Sequence, residues 1–436
     1  MQHINKIFIK NIKWQFLGTV IQSILSAIFI FYLGKNLEAS NFGIYSILIA
    51  IVLTINLIIE PRMQDMASKL LSNFKNIRNA SELEKKIFNE LFLIETTVKI
   101  LPLLLIFSIG ELVINFININ SYYINLLYIL SICFYFSKIG YGLVLGVLRI
   151  QGRSDIITLC SVIEISSRLF LVIYLVSIDK LNIENSIYVF CLTSVLSAFL
   201  QWAFLIKIIG NIFTFFNTIN LKNFILKNTK VKRLFFNSIG LSLTDLMNKD
   251  LDVILISSNI SSDGVGLYKM AKTISLLVWK MIDPFYVSLM PELNRLFLIN
   301  QYEDIKSIIT KTTIGLFFLS LSIGFSSILI ISNFSEILLG SSFNKIESLM
   351  MIMLVGVVCG AANVWGHPLS VAINRSDIAF AGGLISAIVG IILIIQLVPL
   401  YGITGASIAW SICFSVYFLY SSIVSYLNFR AFDFVG

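Results

Sequence analysis

The sequence predicts an all-α integral membrane protein of about twelve transmembrane helices, arranged as two six-helix bundles related by a pseudo-two-fold axis along the membrane normal. Three observations carry that reading. Of 436 residues, 57% are apolar and 13% charged, with a mean hydropathy of +0.89, against roughly 45–50% and about 25% in soluble domains. Apolar runs long enough to cross a bilayer, about 20 residues each, recur along the whole chain. Two sequence matches recur at a common spacing of about half the chain. A soluble enzyme is excluded at once.

The expected spans are 14–33, 43–60, 88–109, 123–148, 156–178, 186–206, 234–257, 265–290, 312–332, 347–372, 378–398 and 403–427. The third carries Glu95, Lys99 and Pro102, and the seventh and eighth are rich in charge, so ten or fourteen spans are the alternatives. Lysine and arginine asymmetry orients them. With the N-terminus inside, cytoplasmic segments hold 22 basic residues and outer loops hold three, Lys35, Lys180 and Lys345. The net charge of +8 is therefore mostly a topology signal, not a nucleic-acid footprint. Both termini are expected in the cytoplasm, and no cleavable signal peptide is expected. The inner segment 61–87 places Met63, Met66, Leu70, Phe74 and Ile77 at helical spacing. It reads equally as a helix on the anionic leaflet and as a connector whose apolar face packs on its own protein.

Residues 42–61, FGIYSILIAIVLTINLIIEP, match 265–284, VGLYKMAKTISLLVWKMIDP, without a gap at Gly43/Gly266, Tyr45/Tyr268, Ile51/Ile274, Leu53/Leu276, Ile59/Ile282 and Pro61/Pro284. The offset is 223. Independently, the tetrapeptide RSDI stands at 153–156 and at 375–378, an offset of 222. Two such agreements predict a duplicated six-helix unit: a bundle at 1–210, a basic linker at 211–233 and a second bundle at 234–436. Six is even, so both copies cross in the same sense, and a substrate would sit near mid-membrane between them.

The five cysteines lie singly in apolar runs and the histidines are only His3 and His367, so no metal site and no Cys–His or Ser–His nucleophile is expected. There is no Walker A pattern. His367, in Gly366–His367–Pro368, reads as a helix-break residue, and Glu60 and Asp283, each followed by proline, as helix ends.

The spans keep seven basic and seven acidic residues, with the span-edge Glu90 and Glu347 counted in the loops. Each costs roughly 2.5–3.5 kcal/mol at the bilayer centre on insertion scales. On the eighth span Lys269, Lys272, Lys280 and Asp283 fall within about 80° of arc, and on the seventh Asp245, Lys249 and Asp252 within about 60°. The equivalents of Lys269, Lys272 and Lys280 in the first half are Ser46, Ile49 and Leu57, so the lysines are an addition to one half. Glu95/Lys99 and Glu164/Arg168 are i, i+4 pairs able to neutralise themselves. The candidate substrate-binding residues are thus Lys249, Lys269, Lys272, Lys280, Arg168, Lys99 and Lys138. The candidate coupling or charge-balancing residues are Asp245, Asp252, Glu164 and Glu95.

The loop LGKNLEASNFGIYS (33–46) and its echo ISSDGVGLYKMA (260–271) resemble the signatures of the Wzx-type polysaccharide flippases, a family of the superfamily that also holds the MATE drug exporters and lipid II flippases. The resemblance covers essentially the full chain. It implies movement of undecaprenyl-diphosphate-linked oligosaccharide units of O-antigen, lipopolysaccharide or capsule from the inner to the outer leaflet of the bacterial cytoplasmic membrane by alternating access. No enzymatic activity and no cofactor are expected, with H+ or Na+ as the candidate coupling ion. The partners implied are the lipid-linked oligosaccharide, membrane lipids and polysaccharide-assembly proteins, with no nucleic acid, for a protein expected to be monomeric. A MATE-like ion-coupled exporter is the alternative within transport. A membrane glycosyltransferase or polymerase is the alternative outside it, disfavoured because no sizeable extramembrane loop with clustered acids or histidine is present.

Overall fold

The computed structural model describes residues 2–59, 63–71, 82–209, 249–343, 346–375 and 377–433. Every regular element among them is helical. They are α1 (Gln2–Ile59), α2 (Met63–Leu70), α3 (Glu82–Phe116), α4 (Ile124–Lys138), α5 (Tyr141–Ile150), α6 (Ser154–Ser177), α7 (Ile183–Ile209), α8 (Leu251–Ser257), α9 (Ser262–Lys280), α10 (Asp283–Leu298), α11 (Tyr302–Leu339), α12 (Ile346–Ala362), α13 (Gly366–Ala372) and α14 (Asp377–Asp433), with short 3-10 turns before α4 and α12.

Among the described residues eight helices are long and apolar enough to cross a membrane, and the α9–α10 pair, bent by 44°, makes a ninth if counted as one span. Two of the eight are breached by one non-helical residue, Glu38 (φ 64°) in α1 and Gly402 (φ 56°) in α14. The apolar stretches Leu17–Ile59 and Asp377–Arg430 run 43 and 54 residues. At 1.5 Å per residue each is about twice the roughly 30 Å bilayer core, room for two crossings. The expected spans one to six and eight to twelve each coincide with a described helix or helix pair. The seventh, 234–257, and the linker 211–233 lie largely or wholly outside the described residues.

The duplication shows in the backbone. With the sequence offset of 222–223, α4 maps onto α12, α5 onto α13, α3 onto α11, and α6 and α7 onto the two parts of α14. Left-handed residues recur with it: Asn118 (φ 59°) maps to Gly340 (φ 87°), Gly152 (φ 66°) to Asn374 (φ 59°), and Asp179 (φ 52°) to Gly402. These are the residue types that enter the left-handed region most readily. Gly152 and Asn374 close the same turn. Gly152 N donates to Arg149 O (3.0 Å) and Arg153 N to Leu148 O (2.9 Å), while Asn374 N donates to Val371 O (3.0 Å) and Arg375 N to Ser370 O (2.8 Å). This is the Schellman pattern of helix termination. Each arginine then grips the aspartate two residues on, Arg153 with Asp155 and Arg375 with Asp377, through two parallel N–H···O bonds of 2.9–3.2 Å. The RSDI tetrapeptides therefore end one helix and begin the next at equivalent places.

The chain divides into two compact units, Met1–Phe29 with Ile51–Leu243, and Ile30–Ala50 with Thr244–Gly436. The segment 30–50, expected with the first half, thus groups with the second. In the first unit α2 settles the reading of the 61–87 segment as far as it is described. Met63, Met66, Ala67 and Leu71 are buried with Phe88, Leu91, Leu143, Val144 and Val147. That apolar face is covered by its own protein, so it does not lie on the leaflet; Phe74 and Ile77 are outside the described residues. The corresponding core of the second unit gathers Ile282, Leu289, Leu293, Leu316, Trp365, Leu369 and Phe429. There His367, half-buried at the start of α13, accepts or donates through Nδ1 to the Tyr286 hydroxyl. Asp283 opens α10 with Pro284 in its first turn, where proline needs no N–H partner.

Segment 30–50 is fastened to the second unit by a backbone approach. A Cβ on Gly43 would stand 1.9 Å from the Ser262 carbonyl oxygen, and one on Gly266 would stand 2.1 Å from the Ala39 oxygen. Ala39 and Ser262 are themselves repeat equivalents at offset 223, so the contact is reciprocal. The hydroxyls of Ser40 and Ser262 bond at 2.9 Å alongside, and Lys35 Nζ donates to the Ile337 carbonyl at 2.8 Å. Alanine at Gly43 or Gly266 is expected to cost about 1–3 kcal/mol by overpacking. Alanine at Gly315, a helical glycine with nothing within 4 Å, is expected to gain about 0.5–1 kcal/mol. Thermal unfolding of the detergent-solubilised variants separates the two outcomes, and an unchanged midpoint for Gly43→Ala would refute the close approach.

Candidate functional site

In the second unit the lysine stripe of α9 is met by acids at the start of α8. The Lys272 ammonium reaches both oxygens of Asp252, at 2.8 and 2.7 Å, and also donates to the Lys249 carbonyl. Its three N–H groups thus have protein acceptors. Asp252 is fully buried and the Lys272 side chain is 2% exposed. Tyr268, one turn before Lys272 on α9, donates its hydroxyl to Asp252 Oδ2. Half-buried Lys269 pairs with Asp250. Lys249 and Lys280 are exposed and form no ion pair among the described residues.

The lysines that share one face of α9 therefore differ in their surroundings. In this conformation Lys272 is committed to Asp252, and a substrate oxygen could reach it only by displacing that carboxylate. Asp252 holds the position expected of a charge-balancing residue. Asp245, the other acid expected on that face, lies outside the described residues. Sequence reasoning missed Asp250 as the partner of Lys269 and Tyr268 as the second donor to Asp252. Tyr268 stands at i−4 to Lys272, which was the available signal.

In the first unit three helices converge on Arg168. Its Nη2 donates to Glu164 Oε1 (2.8 Å) and Ser194 Oγ (3.1 Å), and its Nε donates to Thr193 Oγ1 (3.1 Å). The guanidinium lies over the Phe190 ring, 4.3 Å from its centroid, with Phe29 at 5.8 Å. The i, i+4 pair read from the sequence is formed, and α7 and α1 add four partners that spacing within α6 does not reveal.

The remaining first-unit candidates stand apart from that cluster. Glu95, 2% exposed, accepts from the backbone N–H groups of Gly142 (2.8 Å) and Leu143 (3.1 Å). It caps the start of α5, where no side chain at Gly140 can do so and a carboxylate suits the positive helix end. Lys99 is 3% exposed, one turn along α3 from Glu95. Lys138 stacks its ammonium over Tyr141, 3.9 Å from the centroid, with Phe134 at 5.5 Å, a cation–π geometry. The structure brings none of these three into the Arg168 cluster.

The profile of the polysaccharide biosynthesis protein family matches residues 8–297, well over half the chain. The chain belongs to the polysaccharide biosynthesis protein family. Within this family setting, a curated relative is the probable low-salt glycan biosynthesis flippase Agl15 of Haloferax volcanii, 24% identical over 168 residues; the match spans 38% of this chain and 35% of that protein. Among solved structures, an inward-facing multidrug resistance MATE family transporter of the MOP superfamily superposes with a TM-score of 0.72 at 10% identity, covering 94% of this chain and 95% of that one. The lipid II flippase MurJ in an inward closed conformation superposes with a TM-score of 0.67 at 16% identity, covering 98% and 91%. These likenesses show that the chain has the fold shared by those transporters.

Removing one partner of a buried ion pair strands the other charge, at about 3–5 kcal/mol, whereas replacing both by apolar residues is often neutral. Asp252→Ala and Lys272→Ala should each lower the unfolding midpoint in detergent sharply, and Asp252→Leu/Lys272→Met should recover most of the loss. Single variants as stable as the parent would show that the pair is not buried.

Proposed function

We propose that the protein is a flippase that carries a lipid-linked oligosaccharide, anchored on undecaprenyl diphosphate, from the cytoplasmic to the outer leaflet by alternating access. The observation that carries the reading is a conjunction: a polysaccharide-biosynthesis family sequence over 8–297 is folded as a many-span transporter. Polysaccharide assembly joins polar units on a lipid carrier, and the step that needs such a fold is moving the polar head through the bilayer core, where unpaired polar groups cost several kcal/mol.

The spans hold charges suited to that head. Lys249 and Lys280, both exposed, would meet the diphosphate as point charges. Lys269 would exchange Asp250 for a phosphate oxygen as the cavity fills. In this scheme Asp245 and Asp252 balance the lysines when no substrate is bound, or take up the coupling H+ or Na+. The orientation follows from the lysine and arginine asymmetry, with both termini cytoplasmic in a bacterial inner membrane.

A MATE-like exporter of small molecules is the second reading, favoured by the MATE superposition. At 10% identity that likeness concerns fold and not cargo. Depleting the protein in its host is expected to abolish surface polysaccharide and to accumulate lipid-linked oligosaccharide on the inner leaflet, with drug susceptibility unchanged. Normal polysaccharide with raised drug susceptibility would replace this reading by the exporter. At matched protein levels, Lys249→Ala and Lys280→Ala are each expected to slow export about tenfold, the worth of one charge-assisted hydrogen bond.

A further inference from the structure

We infer that the cluster around Arg168 is a glycan-recognition subsite that binds sugar hydroxyls and not the diphosphate; the inference rests on the flippase reading and assigns this site its part of the substrate. Orientation is the first support. On α6 the exposed Leu159, Phe170, Ile173 and Tyr174 form the stripe that faces lipid. At 100° per residue Arg168 lies about 120° or more round from every member of that stripe, and Glu164 about 80° from its edge at Tyr174. On α7 the exposed Leu192 and Phe199 mark the lipid side, and Phe190 and Ser194 likewise lie more than about 120° away. The Arg168 and Glu164 side chains nevertheless remain 13% and 28% exposed. The polar face is thus turned from lipid but is not sealed by packing.

The fold itself does not require these charges. At the repeat offset of 222, Glu164 and Arg168 correspond to Ser386 and Gly390 in the second half, on a helix that forms without them. What the first unit holds beyond the shared scaffold is a guanidinium fixed by Phe190, Thr193 and Ser194, with a carboxylate beside it.

The chemistry selects the ligand. Arg168 Nη1 donates to nothing, and Glu164 Oε2 accepts from nothing, among the described residues. A fixed N–H donor edge next to a carboxylate acceptor matches a vicinal pair of hydroxyls, each of which can donate to one and accept from the other. A diphosphate, which only accepts, would gain from Arg168 and be repelled by Glu164. The cluster carries no net charge, whereas a diphosphate site needs an excess of cations. Mostly withdrawn from water, its hydrogen bonds would count heavily in choosing among sugars.

The test titrates the full-length protein in nanodiscs with undecaprenyl diphosphate and with a panel of undecaprenyl-diphosphate-linked mono- and disaccharides. The wild type is expected to bind at least one glycosylated probe about tenfold or more tightly than undecaprenyl diphosphate. The neutral pair Glu164→Gln/Arg168→Gln should erase that increment and leave undecaprenyl diphosphate binding within about twofold. Should the pair fail to fold, Arg168→Lys, which keeps the charge and loses the planar fork, should do the same. Loss of affinity for both probe types would overturn the inference in favour of a diphosphate site. An unchanged sugar increment would overturn it in favour of a purely structural ion pair. A wild type that binds glycosylated and unglycosylated probes equally overturns it as well. Folded wild-type protein that binds no probe overturns the flippase reading itself, a result distinct from the other three.

Discussion

The approach of backbone to backbone at Gly43 and Gly266 is the constraint on which the second unit depends. Side chains elsewhere can yield by changing rotamer, but here the atoms that a Cβ would strike are the carbonyl oxygens of Ser262 and Ala39, and these cannot move without their helices. Close approach of small residues is how helices associate where lipid offers no hydrophobic drive. The Ser40–Ser262 hydrogen bond and the Lys35 grip on Ile337 follow from that approach. So does the packing of Gly34 against Met270, whose methyl lies 2.4 Å from a notional Cβ. A stretch of the first repeat is thereby made part of the second unit, and it is the equivalence of the two repeats that lets one glycine serve each side of the contact.

Charge is the second constraint, and the two units meet it differently. Within the spans an ion cannot be left to water, so most of these charges are matched by something: Lys272 by a carboxylate and a carbonyl, Lys138 by two rings, Glu95 by two backbone N–H groups, Arg168 by a carboxylate, two hydroxyls and a ring. The matches made by Glu95 and Lys272 are nearly water-free. Those around Arg168 and Lys269 stay partly open. Degree of exposure, more than identity or position along a helix, separates the two groups.

Much of the fold was legible in the sequence because the bilayer imposes a length and the duplication imposes a register. The RSDI pair announced the offset that the backbone later repeats in its left-handed residues. Those residues were not themselves legible: Asn118 and Gly340, or Asp179 and Gly402, share a conformation and not a chemistry, and a residue-by-residue match passes over them. The allegiance of segment 30–50 was hidden for a related reason. Gly43 and Gly266 were visible as a match, but a match says that two places are equivalent, not that they touch. At the site, helical spacing found Glu164 with Arg168 and grouped the α9 lysines, since both follow from geometry within one helix. The partners Asp250, Thr193, Ser194 and Phe190 depend on the rotation of a neighbouring helix, which spacing along one strand of sequence does not contain.

The duplication also separates what is structural from what is chemical. Where both copies keep a feature, as at the RSDI turns or Gly43 and Gly266, the feature ends a helix or lets two helices meet. Where only one copy has it, the fold has been shown to form without it. Lys272 faces Ile49 across the repeat, and Arg168 faces Gly390. Neither charge is a requirement of the architecture, and each has partners that offset its cost: Asp252 for one, Glu164 and the α7 hydroxyls for the other. A charge and its counter-charge inside a membrane, present in one half only, stabilise little compared with an apolar pair of similar size. Stability alone therefore does not account for either pair, and the two stand at non-equivalent places in the two repeats.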